Sequence, residues 1–427
     1  MLSEGNSHYN IEFCRTYFYG FVEFMQIRGV KNFKIIKMNH LEKSKGKIEN
    51  VLWLTDTYGD HNGVSMVLQA MHREIKARNL PIDIMVCSDS LKSDDHLIVL
   101  KPVLQFGIPY YRQQPLRIPN YLSLRKIFKK KKYDRVLCST EGPMGFAAIY
   151  FKKFHSVKTY FYLHTDWLMF AKQVMGIQEN GLNRIQYLMR RYYKMFDFVF
   201  VLNSDQQKWL TGTSMQFHPS RVLLTAHWTE NIFVNLPAYD AVYTGTNKQA
   251  KVILYVGRLC AEKGIFELPG IFRKAKEKMT GLKMLIAGTG PYEAELKAAF
   301  PEAKYTGWID HNILPEIYGS ADLLLLPSRF DTFSCVVLEA LSCGVPVIAY
   351  NTKGPKDIIQ NSKNGFLVET PEEMSDRILE YFSDAEMRST FPGAAAARAK
   401  DYTSDKILKK LLSDIEIDLS EKVYELS

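Results

Sequence analysis

Short apolar runs recur along the chain from Val51 onward, and stretches with helical spacing separate most of them. In the first half these runs are VLWLTD, IDIMVC, a weaker one near Leu97–Val99, RVLCS, TYFYLH and FVFVLN. In the second half they are VILYVG, KMLIAGTG, ADLLLLPS and VPVIA. Continuous apolar runs indicate strands buried on both faces, and their alternation with helices is typical of doubly wound parallel sheets. The pattern therefore predicts an α/β protein with two such sheets.

A segment without either period separates the two halves. Residues 234–250, NLPAYDAVYTGTNKQAK, carry Pro, Gly and Asn and are typical of a linker. The aromatic-rich start, IEFCRTYFYGFVEFMQIRGV, leaves open an amphipathic helix, a membrane-surface element or a poorly ordered extension. The predicted organisation is an N-terminal extension (1–48), an N-terminal Rossmann-like domain (49–233), the linker (234–250), a C-terminal Rossmann-like domain (251–400) and a tail (401–427).

The composition is that of a soluble protein with two buried cores. Apolar residues make up 46% and charged residues 24% of the 427 residues. No run approaches the roughly 18–20 apolar residues of a membrane span, and no secretory signal pattern opens the chain. The six cysteines are scattered without a CxxC pair, which favours reduced cytosolic thiols over zinc or disulfides. We expect a cytoplasmic protein that needs neither a metal ion nor another cofactor.

The net charge of +9 is partly concentrated in Arg125–Arg135, RKIFKKKKYDR. This segment has three interpretations: a solvated helix face, a contact with an anionic membrane surface, and a nucleic-acid contact. Each basic residue near an anionic leaflet contributes about 1 kcal/mol of attraction, so the cluster could hold a soluble protein at a membrane. No nucleic-acid-binding motif supports the third interpretation. We therefore expect no nucleic-acid partner.

Candidate chemistry follows the predicted strands of the second half. GRLCAEKG directly follows VILYV and places Arg258 and Lys263 in a strand-to-helix loop bracketed by Gly257 and Gly264. Open parallel sheets bind ligands at the carboxyl ends of their strands, and two cations with free backbone N–H groups suit a pyrophosphate. The alternative is a pair of exposed cations at a helix start, which the helix dipole disfavours.

The segment PSRFDTFSCVVLEALSCGVPVIA is the most informative part of the chain. Asp331 follows the strand LLLLP, and Glu339 lies eight residues later in a helix that is predicted to begin near Ser334. Such carboxylates can bind sugar hydroxyls and a diol, and the unpaired amides at the helix start suit an anion or a sugar. The alternative is an acidic residue that favours the helix dipole together with a surface glutamate.

Together these segments resemble the large family 4 of retaining glycosyltransferases, which have the GT-B fold of two facing Rossmann-like domains. The family's hallmark is two glutamates separated by seven residues in E-x-F-G-x-x-x-L-E-A-x-x-x-G-x-P-V, and this chain has DTFSCVVLEALSCGVPV. GRLCAEKG is similar to the family's G-R-L-x-x-x-K-G loop, IAGTGP to the loop after the next strand, and TGW to the segment near the nucleotide base. The resemblance is close over residues 252–349 and weaker from 51 to about 400.

The resemblance implies that the C-terminal domain binds a nucleotide-sugar donor. Arg258 and Lys263 would neutralise the diphosphate, Glu339 would hydrogen-bond the ribose, and Asp331 would lie beside the donor sugar. His164, at the end of TYFYLH, matches a family histidine beside that sugar, although a structural histidine is the alternative. The catalytic residues are therefore assigned as His164, Asp331, Arg258 and Lys263. Further donor contacts are assigned to Gly257, Gly307, Trp308 and the backbone of Phe333, Ser334 and Cys335.

Three positions depart from the family pattern. Asp331 in place of glutamate withdraws the carboxylate by one methylene, roughly 1.5 Å. Ser334 replaces a frequent glycine and adds a hydroxyl group beside the donor. His227 lies in TAHWTEN, where relatives often carry N-G-V-D, so no role is carried over to it. The first two departures concern the identity of the donor more than the activity.

The N-terminal half supplies weaker candidates. In TDTYGDHNGVSMVLQ only Gly63 matches the family's glycine-rich loop near the diphosphate, and a simple helix start is the alternative. Asp60 and His61 are candidate acceptor contacts. Asp166, in LHTDW, could orient an acceptor hydroxyl or cap the following helix.

The resemblance implies a retaining, metal-independent transfer of a hexose from a UDP- or GDP-sugar to an acceptor. The basic segment, the aromatic N-terminus and the stretch Trp167–Phe170 suggest a lipid or cell-envelope glycoconjugate acceptor at the inner face of a membrane. Three alternatives stay open: a glycoside phosphorylase, a nucleotide-sugar epimerase, and a catalytically inactive nucleotide-sugar binding protein.

Overall fold

A computed structural model describes residues 50–59, 63–107, 115–173, 175–233 and 251–417. The predicted extension, the linker, Asp60 and His61 lie outside these residues. Among the described residues, 166–191 form one compact unit, and the rest of the chain forms another that contains both sheets. The smaller unit consists of α4 and most of α5, whose bounds are given below.

The first sheet has seven strands, paired in parallel in the order β3-β2-β1-β6-β7-β8-β9. A separate antiparallel hairpin, β4-β5, interrupts the alternation and was not predicted. The strands of this half are β1 (Val51–Thr55), β2 (Ile82–Cys87), β3 (Leu97–Leu100), β4 (Pro102–Phe106), β5 (Leu116–Pro119), β6 (Arg135–Cys138), β7 (Lys158–Tyr162), β8 (Phe198–Val201) and β9 (Val222–Leu224). The helices are α1 (Gly63–Ala77), α2 (Tyr121–Lys131), α3 (Pro143–His155), α4 (Trp167–Gln173), α5 (Glu179–Tyr193) and α6 (Ser204–Thr211).

The second sheet has six parallel strands in the order β12-β11-β10-β13-β14-β15. They are β10 (Lys251–Val256), β11 (Leu282–Ala287), β12 (Lys304–Gly307), β13 (Leu323–Leu326), β14 (Val347–Tyr350) and β15 (Gly365–Val368). The helices are α7 (Leu268–Lys278), α8 (Glu293–Ala299), α9 (Leu314–Gly319), α10 (Cys335–Ser342), α11 (Pro355–Ile358), α12 (Pro371–Ser383), α13 (Ala385–Ala399) and α14 (Ser404–Asp414). Short 3-10 helices cover Pro219–Arg221, Asn231–Phe233, Ala261–Lys263, Ile265–Glu267 and Lys400–Tyr402.

Burial explains why the sequence pattern predicts these sheets. Every residue of β1, β2, β6, β13 and β14 is buried, as expected for central strands that are covered by helices on both faces. In both sheets the strand order reverses beside the first strand, at β1/β6 and at β10/β13. Ligands bind outside such switch points in open α/β sheets. The prediction of two doubly wound parallel sheets is thus confirmed.

The end of the described chain packs against the N-terminal sheet. Helix α14 lies in the segment that the sequence analysis assigns to the tail, and it buries Ile407, Leu408 and Leu411 in the same apolar cluster as β1 and β2. Arg78 forms an ion pair with Asp405 at 2.5 Å. The chain therefore returns to the N-terminal half after completing the C-terminal sheet. In the parts of the chain with assigned structure, no helix is long and apolar enough to cross a bilayer.

Candidate functional site

Three loops are joined at the carboxyl edge of the second sheet. The N–H of Gly257 donates to the carbonyl of Ala287 at 3.0 Å, and the N–H of Gly288 donates to the carbonyl of Gly307 at 2.8 Å. A Cβ atom on Gly288 would lie 2.0 Å from the Gly257 carbonyl oxygen, so only glycine permits this approach. The loops after β10, β11 and β12 therefore form one connected backbone surface.

The two predicted cations lie in different environments. The Arg258 side chain is 63% exposed and pairs with Glu262 at 2.9 Å. Lys263 instead pairs with Asp331, with 2.5 Å between Nζ and Oδ1, and these side chains are 25% and 13% exposed. Gly264, at φ 70°, lets the lysine loop approach β13, because a Cβ there would lie 2.0 Å from the carbonyl oxygen of Pro327. Lys263 and Asp331, which belong to different motifs and lie 68 residues apart in the sequence, thus meet at the β10/β13 switch point.

The loop before α10 carries polar atoms without a partner among the described residues. The second carboxylate oxygen of Asp331, Oδ2, is buried and accepts no hydrogen bond there. Ser334 caps α10 in the left-handed region at φ 72°, which is costly for a residue with a Cβ, and its Oγ is also buried without a partner. Groups of this kind cost about 1–3 kcal/mol each when nothing binds them. The loop is therefore built to contact a polar ligand.

Glu339 lies one turn into α10, on the same helix start. The hydroxyl of Tyr318 donates to Glu339 Oε2 at 2.8 Å. Burial raises the pKa of Glu339, and the hydrogen bond from Tyr318 and the nearby His311 only partly oppose this effect. A partly desolvated carboxylate with one oxygen held by Tyr318 can accept hydrogen bonds from a diol.

His164 follows β7 and faces the same region from the N-terminal sheet. Its ring is stacked on Tyr162 with 4.4 Å between centroids, and both ring nitrogens are buried without a partner among the described residues. Burial lowers the pKa of His164 well below its usual value, so the ring is neutral. His227 links it to the Asp331 loop, because its ring lies 5.5 Å from that of His164 and 4.9 Å from that of Phe333.

The other predicted site residues are less directly connected to this centre. Gly63 is the first residue of α1, and a Cβ there would meet nothing within 4 Å. Trp308 is 71% exposed beside Gly307, which has φ 73°. Cys335 begins α10 and is a free thiol. Asp166 belongs to the smaller unit, where its Oδ1 accepts from the N–H of Met169 at 2.9 Å and so caps α4.

Sequence reasoning missed Tyr318, His227 and the pair Glu230–His311. The His311 ring contacts Glu230 at 3.2 Å, and this contact raises the pKa of His311. Tyr318 lies in a helix of ordinary composition, and its role depends on tertiary packing that no local spacing indicates. Among the described residues no group of three or more His, Cys, Asp or Glu side chains could hold a metal ion.

Family comparisons agree with this geometry. Residues 61–224 match the family described as Glycosyltransferase Family 4, and residues 242–398 match Glycosyl transferases group 1. The two matches fall on the two sheets. The chain therefore belongs to the glycosyltransferase family that the two models describe. The family was expected from the motif segments, and the comparisons confirm it.

The curated relatives of this chain are named for different sugars. A GDP-mannose-dependent alpha-mannosyltransferase of Corynebacterium glutamicum is 32% identical over 49% of this chain and 47% of its own length. A sulfoquinovosyl transferase of Arabidopsis thaliana is 25% identical over 70% of this chain and 59% of its own length. The alignments thus cover about half of these relatives, which differ from one another in the named sugar.

Solved structures show the same fold for this glycosyltransferase at low sequence identity. The sucrose-phosphate synthase of Thermosynechococcus elongatus superposes with a TM-score of 0.67 at 17% identity, over 86% of this chain and 99% of that one. The Anabaena protein HepE, solved in complex with UDP and glucose, gives a TM-score of 0.65 at 17% identity over the same shares.

Proposed function

We propose that the protein transfers a hexose from a UDP- or GDP-sugar to an acceptor hydroxyl with retention of configuration. The observation that carries this proposal is the Lys263–Asp331 pair at the switch point, with Glu339 one turn into the adjacent helix. Lys263 offers charge to a diphosphate, Glu339 offers a carboxylate to a ribose diol, and the free Asp331 oxygen offers an acceptor to a sugar hydroxyl.

The proposed reaction is a front-face displacement. The bond between the sugar C1 and the phosphate oxygen breaks, and its electron pair leaves with the nucleoside diphosphate. The acceptor oxygen bonds to C1 from the same face, and its proton passes to the departing phosphate oxygen. Lys263 and Arg258 stabilise the charge that develops on the diphosphate, and the neutral His164 provides hydrogen-bonding atoms beside the sugar. No step requires a metal ion.

Nucleotide release measures this function. Thermal shift with UDP-, GDP- and ADP-sugars first identifies the donor, and release of nucleoside diphosphate is then followed with and without candidate acceptors. Acceptor-dependent release without added phosphate is the expected result. A requirement for inorganic phosphate identifies a phosphorylase, sugar interconversion without net release identifies an epimerase, and binding without turnover identifies an inactive binding protein. Each of these three results contradicts the proposal.

We further propose that the acceptor is a lipid or cell-envelope glycoconjugate at an anionic membrane surface. Helix α2 exposes Arg125, Lys126, Lys129 and Lys130 together with Leu122, whose exposed fraction is 78%. The hairpin strand β4 exposes Val103 and Leu104, and β5 leads directly into α2. Cations beside exposed apolar side chains suit an anionic lipid surface.

The basic face of α2 continues to the end of α3. Burial lowers the pKa of His155, and the positive charges of Lys129 and Arg125 lower it further, so these cations lie near that ring. The neighbouring Phe154 is 62% exposed with the Lys153 ammonium 5.6 Å from its ring centroid. The exposed cations and apolar groups of α2 and α3 thus share one surface.

Vesicle co-sedimentation tests the membrane proposal. The full chain should pellet with vesicles that contain anionic phosphatidylglycerol and remain in the supernatant with neutral phosphatidylcholine. Replacing Lys129 and Lys130 by Glu should abolish pelleting. Replacing Lys276 and Lys278, which are exposed on α7, by Glu makes the same change of charge elsewhere and should leave pelleting intact. Equal loss in both double variants would contradict a specific surface.

A further inference from the structure

His227 occupies a buried position between the two sheets that the proposed mechanism does not use. It follows β9 in the segment that leads to the C-terminal half, and the whole residue is only 5% exposed. The residues on either side of it, Ala226 and Trp228, belong to the main apolar cluster, so the backbone of this segment is fixed on both sides of the imidazole. A polar ring buried at such a position needs an explanation.

Three nearly parallel rings surround the end of β7. The ring of His227 lies 5.5 Å from His164 at an interplanar angle of 12°, and 6.0 Å from Tyr162 at 6°. On its other side the edge of Phe333 approaches to 4.9 Å at 70°. The His227 ring thus contacts both His164, which follows β7 of the N-terminal sheet, and Phe333, which lies in the Asp331 loop of the C-terminal sheet.

Buried polar atoms without partners occur on the stacked rings and on the loop that carries Phe333. Among the described residues these atoms are His164 Nδ1 and Nε2 and His227 Nδ1 on the rings, and Asp331 Oδ2 and Ser334 Oγ on the loop. Burial lowers the pKa of His227 to about 3, so its ring is neutral and offers one donor and one acceptor. Buried polar groups without partners are rare in folded proteins, and several together indicate a ligand that supplies the missing hydrogen bonds.

We propose that His227 is a specificity-determining residue whose imidazole hydrogen-bonds a hydroxyl group of the transferred sugar. This inference rests on the proposed function, because it assigns the sugar to the space beside His164 and Asp331. His227 then selects among sugars and leaves recognition of the nucleotide to the C-terminal loops.

Three variants separate hydrogen bonding from packing. His227→Phe keeps an aromatic ring in the stack and removes both nitrogens, whereas His227→Gln restores a donor and an acceptor. His218→Phe is the control, because His218 contacts Ser220 through its Nδ1 and belongs neither to the candidate site nor to the proposed membrane surface. The readouts are melting temperature, affinity for free UDP and GDP, and affinity and kcat/KM for a panel of sugars on the preferred nucleotide.

We expect His227→Phe to lose about 5- to 150-fold in kcat/KM for the preferred sugar and to discriminate less between sugars. His227→Gln should recover part of the loss, His218→Phe should match the unmodified protein, and affinity for the free nucleotide should stay within about twofold in all three. Unchanged sugar preference in His227→Phe, or an equal loss of free-nucleotide affinity, overturns the inference. If His227→Phe does not fold, His227→Leu, which also removes both nitrogens, replaces it, and an unchanged sugar preference in that variant overturns the inference.

This experiment distinguishes the inference from the function on which it rests. If the protein proves to bind nucleotide sugars without transfer, the gain in affinity of the nucleotide sugar over the free nucleotide still measures the contact with the sugar. A smaller gain in His227→Phe then supports the assignment of His227 although the transferase proposal has failed. An unchanged gain removes the assignment whether or not transfer occurs.

Discussion

The Lys263–Asp331 pair shows how a shortened carboxylate is accommodated. One oxygen of Asp331 contacts the lysine at 2.5 Å, and the other has no partner among the described residues. The aspartate therefore still reaches the cation of the neighbouring loop while one acceptor stays available for a ligand. Lys263 is held in place by this contact, whereas Arg258 is mostly exposed. The two cations should then contribute unequally to catalysis.

Lys263→Ala should lower kcat more than Arg258→Ala does. The lysine is partly buried, so its charge is screened less by water and acts more strongly on the leaving diphosphate. The expected loss for Lys263→Ala is about 10²- to 10³-fold in kcat, measured by nucleotide release at saturating donor. Arg258→Ala serves as the matched control, and an equal or larger loss in that variant would contradict the ranking.

Glu339 is a site residue whose buried carboxylate lowers the stability of the folded protein. Its pKa is raised by burial, so in the folded protein the charged carboxylate is disfavoured relative to the unfolded chain. This penalty is absent at pH values below the unfolded pKa and develops as the pH rises through the folded pKa. Glu339→Gln removes the charge and keeps an oxygen to accept from Tyr318.

Glu339→Gln should therefore melt at a higher temperature than the unmodified protein near neutral pH, with a difference that shrinks as the pH falls toward 4. The same variant should lose about 10- to 150-fold in kcat/KM for the donor, because a charge-assisted hydrogen bond to the ribose is lost. Melting curves across pH and steady-state kinetics measure the two effects. A variant that is less stable at neutral pH, or as active as the original, would refute this account.

The sequence identified the site residues that come directly after a predicted strand. Lys263, Asp331 and His164 all come after buried strands, so topology alone places them at sheet edges. Tyr318 and His227 could not be found in this way, because their roles depend on which rings and carboxylates pack against them. A hydrogen bond to a residue 21 positions away, such as Tyr318 to Glu339, leaves no local pattern.

At the scale of elements, continuous apolar runs predicted the central strands well. Edge elements were harder: β9 has only three residues, β12 has no buried residue, and the β4 strand of the hairpin is mostly exposed. Such strands do not carry the apolar run that a doubly covered strand requires. The loops between strands depend instead on close backbone contacts. Gly354 is one example, with φ 89° and a hypothetical Cβ 2.5 Å from the Asp331 carbonyl oxygen.

Gly354→Ala should displace the Asp331 loop and lower both stability and activity. At φ 89° and ψ −82° the backbone lies in a region that residues with a Cβ rarely adopt, and the contact with Asp331 adds a further cost. We expect a lower melting temperature and a reduced kcat/KM. Gly270→Ala is the control, since Gly270 lies in α7 with nothing within 4 Å of a Cβ and should be stabilised by about 0.5–1 kcal/mol. Equal behaviour of the two variants would exclude this role of Gly354.

At the scale of the whole molecule, polar contacts connect the two sheets around the candidate site. The side-chain amide of Asn203 donates to the carbonyl of Thr332 at 2.6 Å, directly beside Asp331. One residue later, the N–H and hydroxyl of Ser204 donate to the two oxygens of Asp357 at 2.6 and 2.8 Å. The Asp357 carboxylate on α11 of the C-terminal half thus accepts from the first residue of α6 in the N-terminal half, next to the N-cap residue Asn203. These hydrogen bonds form only while the two halves are together.

Asp357→Ala should therefore weaken the contact between the two halves as well as the start of α6. Loss of an acceptor at a helix N-terminus costs about 0.5–2 kcal/mol, and because this acceptor bridges the halves we expect a larger radius of gyration by small-angle X-ray scattering and a kcat/KM lower by about 2- to 30-fold. Asp384→Ala is the matched control, since Asp384 caps α13 from within the C-terminal half. That variant should lose similar stability without expansion. If the Asp357→Ala protein is as compact and as active as the Asp384→Ala protein, the hydrogen bonds from Ser204 to Asp357 do not hold the halves together. The loss of an acceptor at a helix N-terminus would then explain the behaviour of both variants.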